Sequence, residues 1–318
     1  MPATGPLSAI SSALPRAMSP SSNFALWVSV CARTCKSAAL RHHDPRGGQT
    51  LFKPLTKGVV STIRGSQVIE FGWEFFAEGI PAIIFGGVSK AGFGSGAAFV
   101  AGAILALVVP PGAALGIVLP LFMLVDAATL KPYWGQWHWP SAKGLMIGAI
   151  PGCILAAWLY TIVDADVFRL LIGIICLAFV TFQLGRSVGW LNIPLMPFSH
   201  PIAWFAGTVS GFTSFVSHAG GPPAAVFMLS QGLSKTAYQA TTVVVFWAIN
   251  WMKAVPYAFL GIFSWDSIMG SVALAPFALL GAWLGLKAHH LVPERLFFGL
   301  TYVLLVLTGI RLIWIAIT

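Results

Sequence analysis

Two stretches of the chain are copies of each other, and each breaks an apolar run with glycines. The first is Lys90-Ala91-Gly92-Phe93-Gly94-Ser95-Gly96-Ala97-Ala98-Phe99, the second His218-Ala219-Gly220-Gly221-Pro222-Pro223-Ala224-Ala225-Val226-Phe227. They align with one single-residue gap. The surrounding chain is 57% hydrophobic and 8% charged, where soluble domains carry about 25% charged residues. The chain therefore reads as a polytopic membrane protein. Broken backbone inside lipid leaves N–H and C=O groups without water, which is tolerated only where they line a cavity or are covered by protein. A duplicated pair of such interruptions points to a transporter with a central binding site.

A bilayer-spanning helix needs about 20 apolar residues. The segments expected are 73–89, 96–109, 113–131, 142–163, 167–185, 200–216, 222–233, 237–260, 267–287 and 294–317. The two that follow the glycine turns, 96–109 and 222–233, are short and read as half-helices beginning near mid-membrane. The repeat runs beyond the turns. Asp126, Pro132 and Tyr133 are matched by Asn250, Pro256 and Tyr257, and Pro151 and Trp158 by Pro276 and Trp283, all in one order. An ordered series of this kind marks a true internal repeat. The expected organisation is all-α, with about 8–10 transmembrane segments. It comprises a basic extension (1–69), a first membrane repeat (70–187) and a second (198–318). Each repeat has five segments, an odd number, so the two are expected to be inverted.

The net charge of +9 is concentrated at the N-terminus. Residues 1–64 hold eight of the eighteen Lys and Arg residues beside one acid, Asp44. Their Ser-, Pro- and Arg-rich composition fits a disordered tail, a targeting peptide or translation from an upstream start. In the membrane body, one set of loops carries Lys131, Lys143, Arg186, Lys235, Lys287 and Arg295. The other carries Asp164, Asp166 and Asp266. The positive-inside rule places the first set in the cytoplasm. No nucleic-acid partner is expected of such a body. The four cysteines form no CxxC pair, so no metal site or disulfide framework follows. No cofactor is expected.

The chemistry expected of the turns comes from helix starts. A half-helix beginning after Gly94-Ser95-Gly96, or after Gly220-Gly221-Pro222, presents free N–H groups and about half a positive charge. That arrangement holds anions. Lys90 and His218 match across the repeat at the mouth of each turn and would reinforce it; the bland alternatives are a snorkelling lysine and a packed histidine. The candidate substrate-binding set is Lys90, Gly92, Gly94, Ser95, Gly96, His218, Gly220, Gly221 and Pro222. Asp126 lies deep in an apolar run, where an unpaired carboxylate costs at least about 2.5–3.5 kcal/mol. It is expected to be protonated, to pair with Lys90 or Lys131, or to relay protons. Asn250, Lys253 and Tyr257 share one helix face and complete a candidate polar or coupling track with Asp126. Thr241, Thr242, Ser214 and Ser217 read first as helix-packing hydroxyls. The ladder Gly144, Gly148, Gly152 reads as close helix packing.

These motifs resemble the sulfite exporter TauE/SafE family of membrane transporters. The resemblance rests on the Lys90–Gly96 turn, Pro110-Pro111, Leu119-Pro120-Leu121 and Asp126 in the first half. In the second it rests on Gly211-Phe212-Thr213-Ser214, His218 to Pro223, Thr241-Thr242 and Asn250. It covers residues 70–315, with Ala97-Ala98 standing where many relatives continue in glycine. It implies a carrier of small anions, sulfite or organosulfonates, in the bacterial inner membrane, and not an enzyme. The expected partners are a small anionic substrate and the lipid bilayer, with a homo-oligomer left open. A passive anion channel and a haem or redox membrane protein are the competing classes. The second lacks the deep paired histidines that haem requires.

Overall fold

The structure, a computed structural model, describes residues 71–93, 96–191, 193–288 and 294–318. The expectations for residues 1–70, and for Gly94 and Ser95, lie outside the described residues. Within them the chain is helical, without a strand. The elements are α1 (Trp73–Gly92), α2 (Val100–Val108), α3 (Pro111–Leu130), α4 (Trp139–Ile162) and α5 (Ala165–Ser187), followed by α6 (His200–Ser217), α7 (Gly221–Ser230), α8 (Lys235–Phe259), α9 (Trp265–Ala288) and α10 (Glu294–Ile317).

Local chemistry sets many of the helix starts. Asp164 accepts from the Val167 N–H at 2.9 Å and caps α5, and Ser234 accepts from Ala237 N–H and caps α8. Proline occupies the first turn of α3, α4, α6 and α7, where its missing N–H has no helical partner to lose. Among the described residues five helices, α3, α4, α5, α9 and α10, are long and apolar enough to cross a membrane. α1, α6 and α8 have 20, 18 and 25 residues, but polar residues dilute their apolarity. Several of these face inward: Lys90, Ser210, Ser214, Asn250 and Lys253 are all buried. Large apolar side chains such as Ile154, Trp158, Phe205 and Leu307 stay exposed, as contact with lipid tails requires.

α2 and α7 have nine and ten residues. At about 1.5 Å per residue they cover roughly half of a hydrocarbon core about 30 Å thick. Both half-helices expected from the sequence exist, and both are shorter than read. The chain from Gly96 to Phe99 is still turning, with Val100 N–H bonded to the Ala97 carbonyl and Ala101 N–H to that of Ala98. At the far end α7 stops at Ser230.

The helices pack crosswise. α1 lies on α9 and α4 on α6, α3 meets α8, and α5 meets α10. The first helix of each half of the chain thus packs on the fourth of the other. Glycines set both of those contacts. A Cβ on Gly144, Gly148 or Gly152 of α4 would collide with Ala203, Trp204 or Thr208 of α6, and Gly207 and Gly211 face the Leu145 and Ala149 carbonyls in return. On the other side, Gly87 and Gly92 of α1 face Ala278 and Gly285 of α9, and Gly281 and Gly285 face Ile84 and Val88. Backbone-to-backbone approach is the packing mode available where lipid removes the hydrophobic drive between helices.

Candidate functional site

Both broken segments open onto one space. A cavity of about 580 Å³ is lined by Gly92 and Gly96 of the first turn and by Pro222 at the start of α7. A Cβ on Gly96 would point into open space. Among the described residues Arg186 and Lys235 supply the charge of the lining, without an acid, while Phe179, Phe182, Tyr238 and Phe298 supply aromatic surface. Arg186 and Lys235 belong to the loop set that the sequence assigns to the cytoplasmic face.

The second turn is held firmly. His218 follows the last residue of α6 in the left-handed conformation, with φ of 58°. It is the one non-glycine residue with positive φ among those described. Its N–H bonds to the Ser214 carbonyl and that of Ala219 to Thr213, while Ser210 Oγ donates to the Gly220 carbonyl at 2.7 Å. A Cβ on Gly220 would lie 2.7 Å from the Ser210 carbonyl oxygen and 2.8 Å from Phe246, so this glycine is required by packing. Pro222 and Pro223 change the expected chemistry. Of the first four residues of α7, only Gly221 and Ala224 carry an N–H at all. The helix start offers half the usual donors, and positive charge must come from side chains.

Those side chains lie together behind the cavity. Lys90 Nζ is 2.6 Å from Asp126 Oδ1, so Lys90, and not Lys131, is the partner of the buried carboxylate. Asn250 Nδ2 donates to Asp126 Oδ2 at 2.7 Å. Asp126 and Asn250 are matched positions of the repeat, and they touch. Lys90 Nζ also lies 5.4 Å from the Phe122 ring centre and 5.7 Å from that of Phe246, within the range of cation–π attraction. Gln239, which lines the cavity, donates to the Lys90 carbonyl at 3.4 Å and joins cavity to cluster.

Lys253 forms the second focus. Its Nζ meets the Ser214 carbonyl at 3.1 Å, Ser214 Oγ at 3.0 Å and His218 Nδ1 at 3.0 Å. Three acceptors match the three donors of an ammonium group. An accepting Nδ1 assigns the proton of the neutral imidazole to Nε2. That Nε2 is buried and makes no hydrogen bond; the Leu115 carbonyl lies near the ring without bonding geometry to it. The Phe122 ring bridges the two foci, edge-on to His218 at 5.4 Å. Tyr257, the last member of the expected track, is buried and donates to the Phe215 carbonyl at 2.6 Å.

A left-handed non-glycine residue carries about 1–2 kcal/mol of steric cost. His218→Ala is therefore expected to be less stable than His218→Gly by about 1 kcal/mol, because both lose the imidazole and only alanine keeps the penalty. Thermal melting of the two purified variants checks this, and equal melting temperatures would deny the strain.

The remaining hydroxyls divide as their types suggest. Thr241, Thr242 and Ser217 each bond a carbonyl one turn back in their own helix, which is the packing role. Ser214 is the exception, since both its hydroxyl and its carbonyl hold Lys253. Phe122 and Phe246 escaped the sequence reading. They stand four residues before Asp126 and Asn250, at matched places in the repeat, so the i,i+4 rule applied to both halves would have found them. No His/Cys/Asp/Glu cluster suited to a metal ion occurs among the described residues.

Against known proteins, the family model described as sulfite exporter TauE/SafE matches residues 79–312. No curated protein and no solved structure matches.

Proposed function

Because the chain belongs to the sulfite exporter TauE/SafE family, a family of multi-pass membrane transporters, we propose that it carries a small sulfur oxyanion or sulfonate across the inner membrane by alternating access around its two glycine turns. One observation carries this reading. Both turns line the same cavity, whose described lining has no acid, and among the described residues two buried lysines stand against a single buried carboxylate. Excess positive charge held out of water is costly unless an anion joins it.

Two further observations support alternating access. The crosswise packing of α1 on α9 and α4 on α6, with contact between the matched residues Asp126 and Asn250, is what two repeats related by a two-fold axis would produce. The matched tyrosines differ, however. Tyr133 lines the cavity whereas Tyr257 is buried against Phe215. An inverted pair in unequal environments describes a carrier open on one side and closed on the other. The Arg186 and Lys235 lining supports an open side that faces the cytoplasm, by the positive-inside rule.

Gly96→Phe tests the reading. The side chain would project into open space, so the variant is expected to melt like the wild type. Its flux of sulfite or thiosulfate in proteoliposomes is expected to fall to background, because the ring fills the path. Wild-type flux would remove the turn from the transport path. Currents far above carrier turnover would replace the carrier with a channel.

A further inference from the structure

The charged side chains buried among the described residues are Lys90, Asp126 and Lys253. Lys90 is neutralised by Asp126. Lys253 is held only by neutral acceptors, Ser214 and His218. With Lys253 protonated, the cluster carries one positive charge in excess, and it sits where the medium screens charge poorly.

We propose that the site takes one net negative charge per transport event: a monoanion alone, or a dianion together with one proton on Asp126. The inference rests on the anion-carrier reading of the same site. A bound monoanion brings the buried cluster to neutrality with the Lys90–Asp126 pair intact. A dianion leaves it one negative charge in excess, and the neutral state is regained when Asp126 Oδ1 takes up one proton from the bulk solution. That proton ends the ion pair, and Lys90 Nζ turns from the carboxyl group to the second negative charge of the ligand. Asn250 remains to hold the neutral carboxyl group through Oδ2. The groups acting on Asp126 are Lys90 from α1 and Asn250 and Lys253 from α8. His218, from the turn before α7, is one ring away across Phe122. α2 contains no titratable side chain. The titratable residues of α9, Asp266 and Lys287, stand at its two ends, with Lys287 set against Trp283. Asp126 is thus the one carboxylate in the cluster, and the group whose neutralisation changes its charge toward a second negative ligand charge.

The sign of the pH dependence follows. If binding takes up a proton, affinity falls as pH rises, by about tenfold per pH unit for one proton. A ligand that takes up none shows no such slope.

The test uses the full-length protein in detergent and isothermal titration in two buffers of different ionisation enthalpy. The probes are thiosulfate, a dianion near neutral pH, and methanesulfonate, a monoanion. Thiosulfate is expected to bind with uptake of one proton and to weaken about tenfold per pH unit, and methanesulfonate to bind with neither. In Asp126→Asn the cluster carries two positive charges, so thiosulfate is expected to bind without proton uptake and without the slope. Equal proton counts for both anions, or a slope that survives in Asp126→Asn, would overturn the charge rule while leaving an anion site. Failure of both anions to bind would overturn the carrier reading itself. The wild-type comparison decides between these results even if Asp126→Asn does not fold.

Discussion

Lys90→Met is expected to destabilise the protein by about 3–5 kcal/mol and to abolish transport. The substitution removes the cation 2.6 Å from Asp126 and leaves a carboxylate buried with Asn250 as its one hydrogen-bond partner. The side chains are 3% and 1% exposed, so solvent cannot take over from the lost lysine. The double variant Lys90→Met, Asp126→Leu separates structure from function. Replacing both members of a buried ion pair by apolar groups is often neutral for stability, and Phe122 and Phe246 already give Lys90 an apolar surround. The double variant is expected to recover most of the melting temperature and none of the flux. Recovery of both would make the pair a scaffold only. Wild-type stability in Lys90→Met alone would deny the pair's energetic weight.

The second large effect lies at the α4–α6 contact. Gly152→Ala is expected to cost about 1–3 kcal/mol or more and to lower the yield of folded protein sharply. A Cβ at this position would overlap the Thr208 carbonyl and lie 2.8 Å from the Phe212 N–H nitrogen. Both obstacles are backbone atoms, which no rotamer change can move, so the helices must separate and Gly148, Gly207 and Gly211 lose their contacts with them. Gly96→Ala is the control, because its Cβ meets nothing within 4 Å. The comparison is made by size-exclusion yield and thermal melting. Equal behaviour of the two alanine variants would contradict the packing described for α4 and α6.

Much of this architecture was legible in the chain. The lysine-led and histidine-led glycine turns gave the two half-helices, because glycine and proline inside apolar runs are costly without a reason. The ordered matches of Asp126, Tyr133, Asn250 and Tyr257 bring these polar residues into one argument: Asp126 and Asn250 meet in a buried cluster, whereas Tyr133 lines the cavity and Tyr257 bonds the Phe215 carbonyl. What stayed hidden is tertiary. The Gly144 ladder reads as packing, but nothing in it names α6 as the partner, and Gly281 and Gly285 were not recognised as its counterpart on α9. Ser214 reads as a packing hydroxyl until Lys253 is seen to reach its carbonyl as well. The second half-helix offers fewer donors than its glycine turn suggests, because Pro222 and Pro223 carry no N–H. The boundaries of α2 moved inward because the residues after Gly96 still turn, a feature set by how Phe99 and Val100 bury in the core.

On the proposed reading an anion is held between the two broken helices, in the cavity that both turns line. Anomalous diffraction from a crystal grown with selenite, a heavy analogue of sulfite, tests it most directly. One selenium peak is expected in the cavity between the starts of α2 and α7, beside Gly96 and Pro222. A crystal with selenium only at the protein surface, or with none at all, would contradict it.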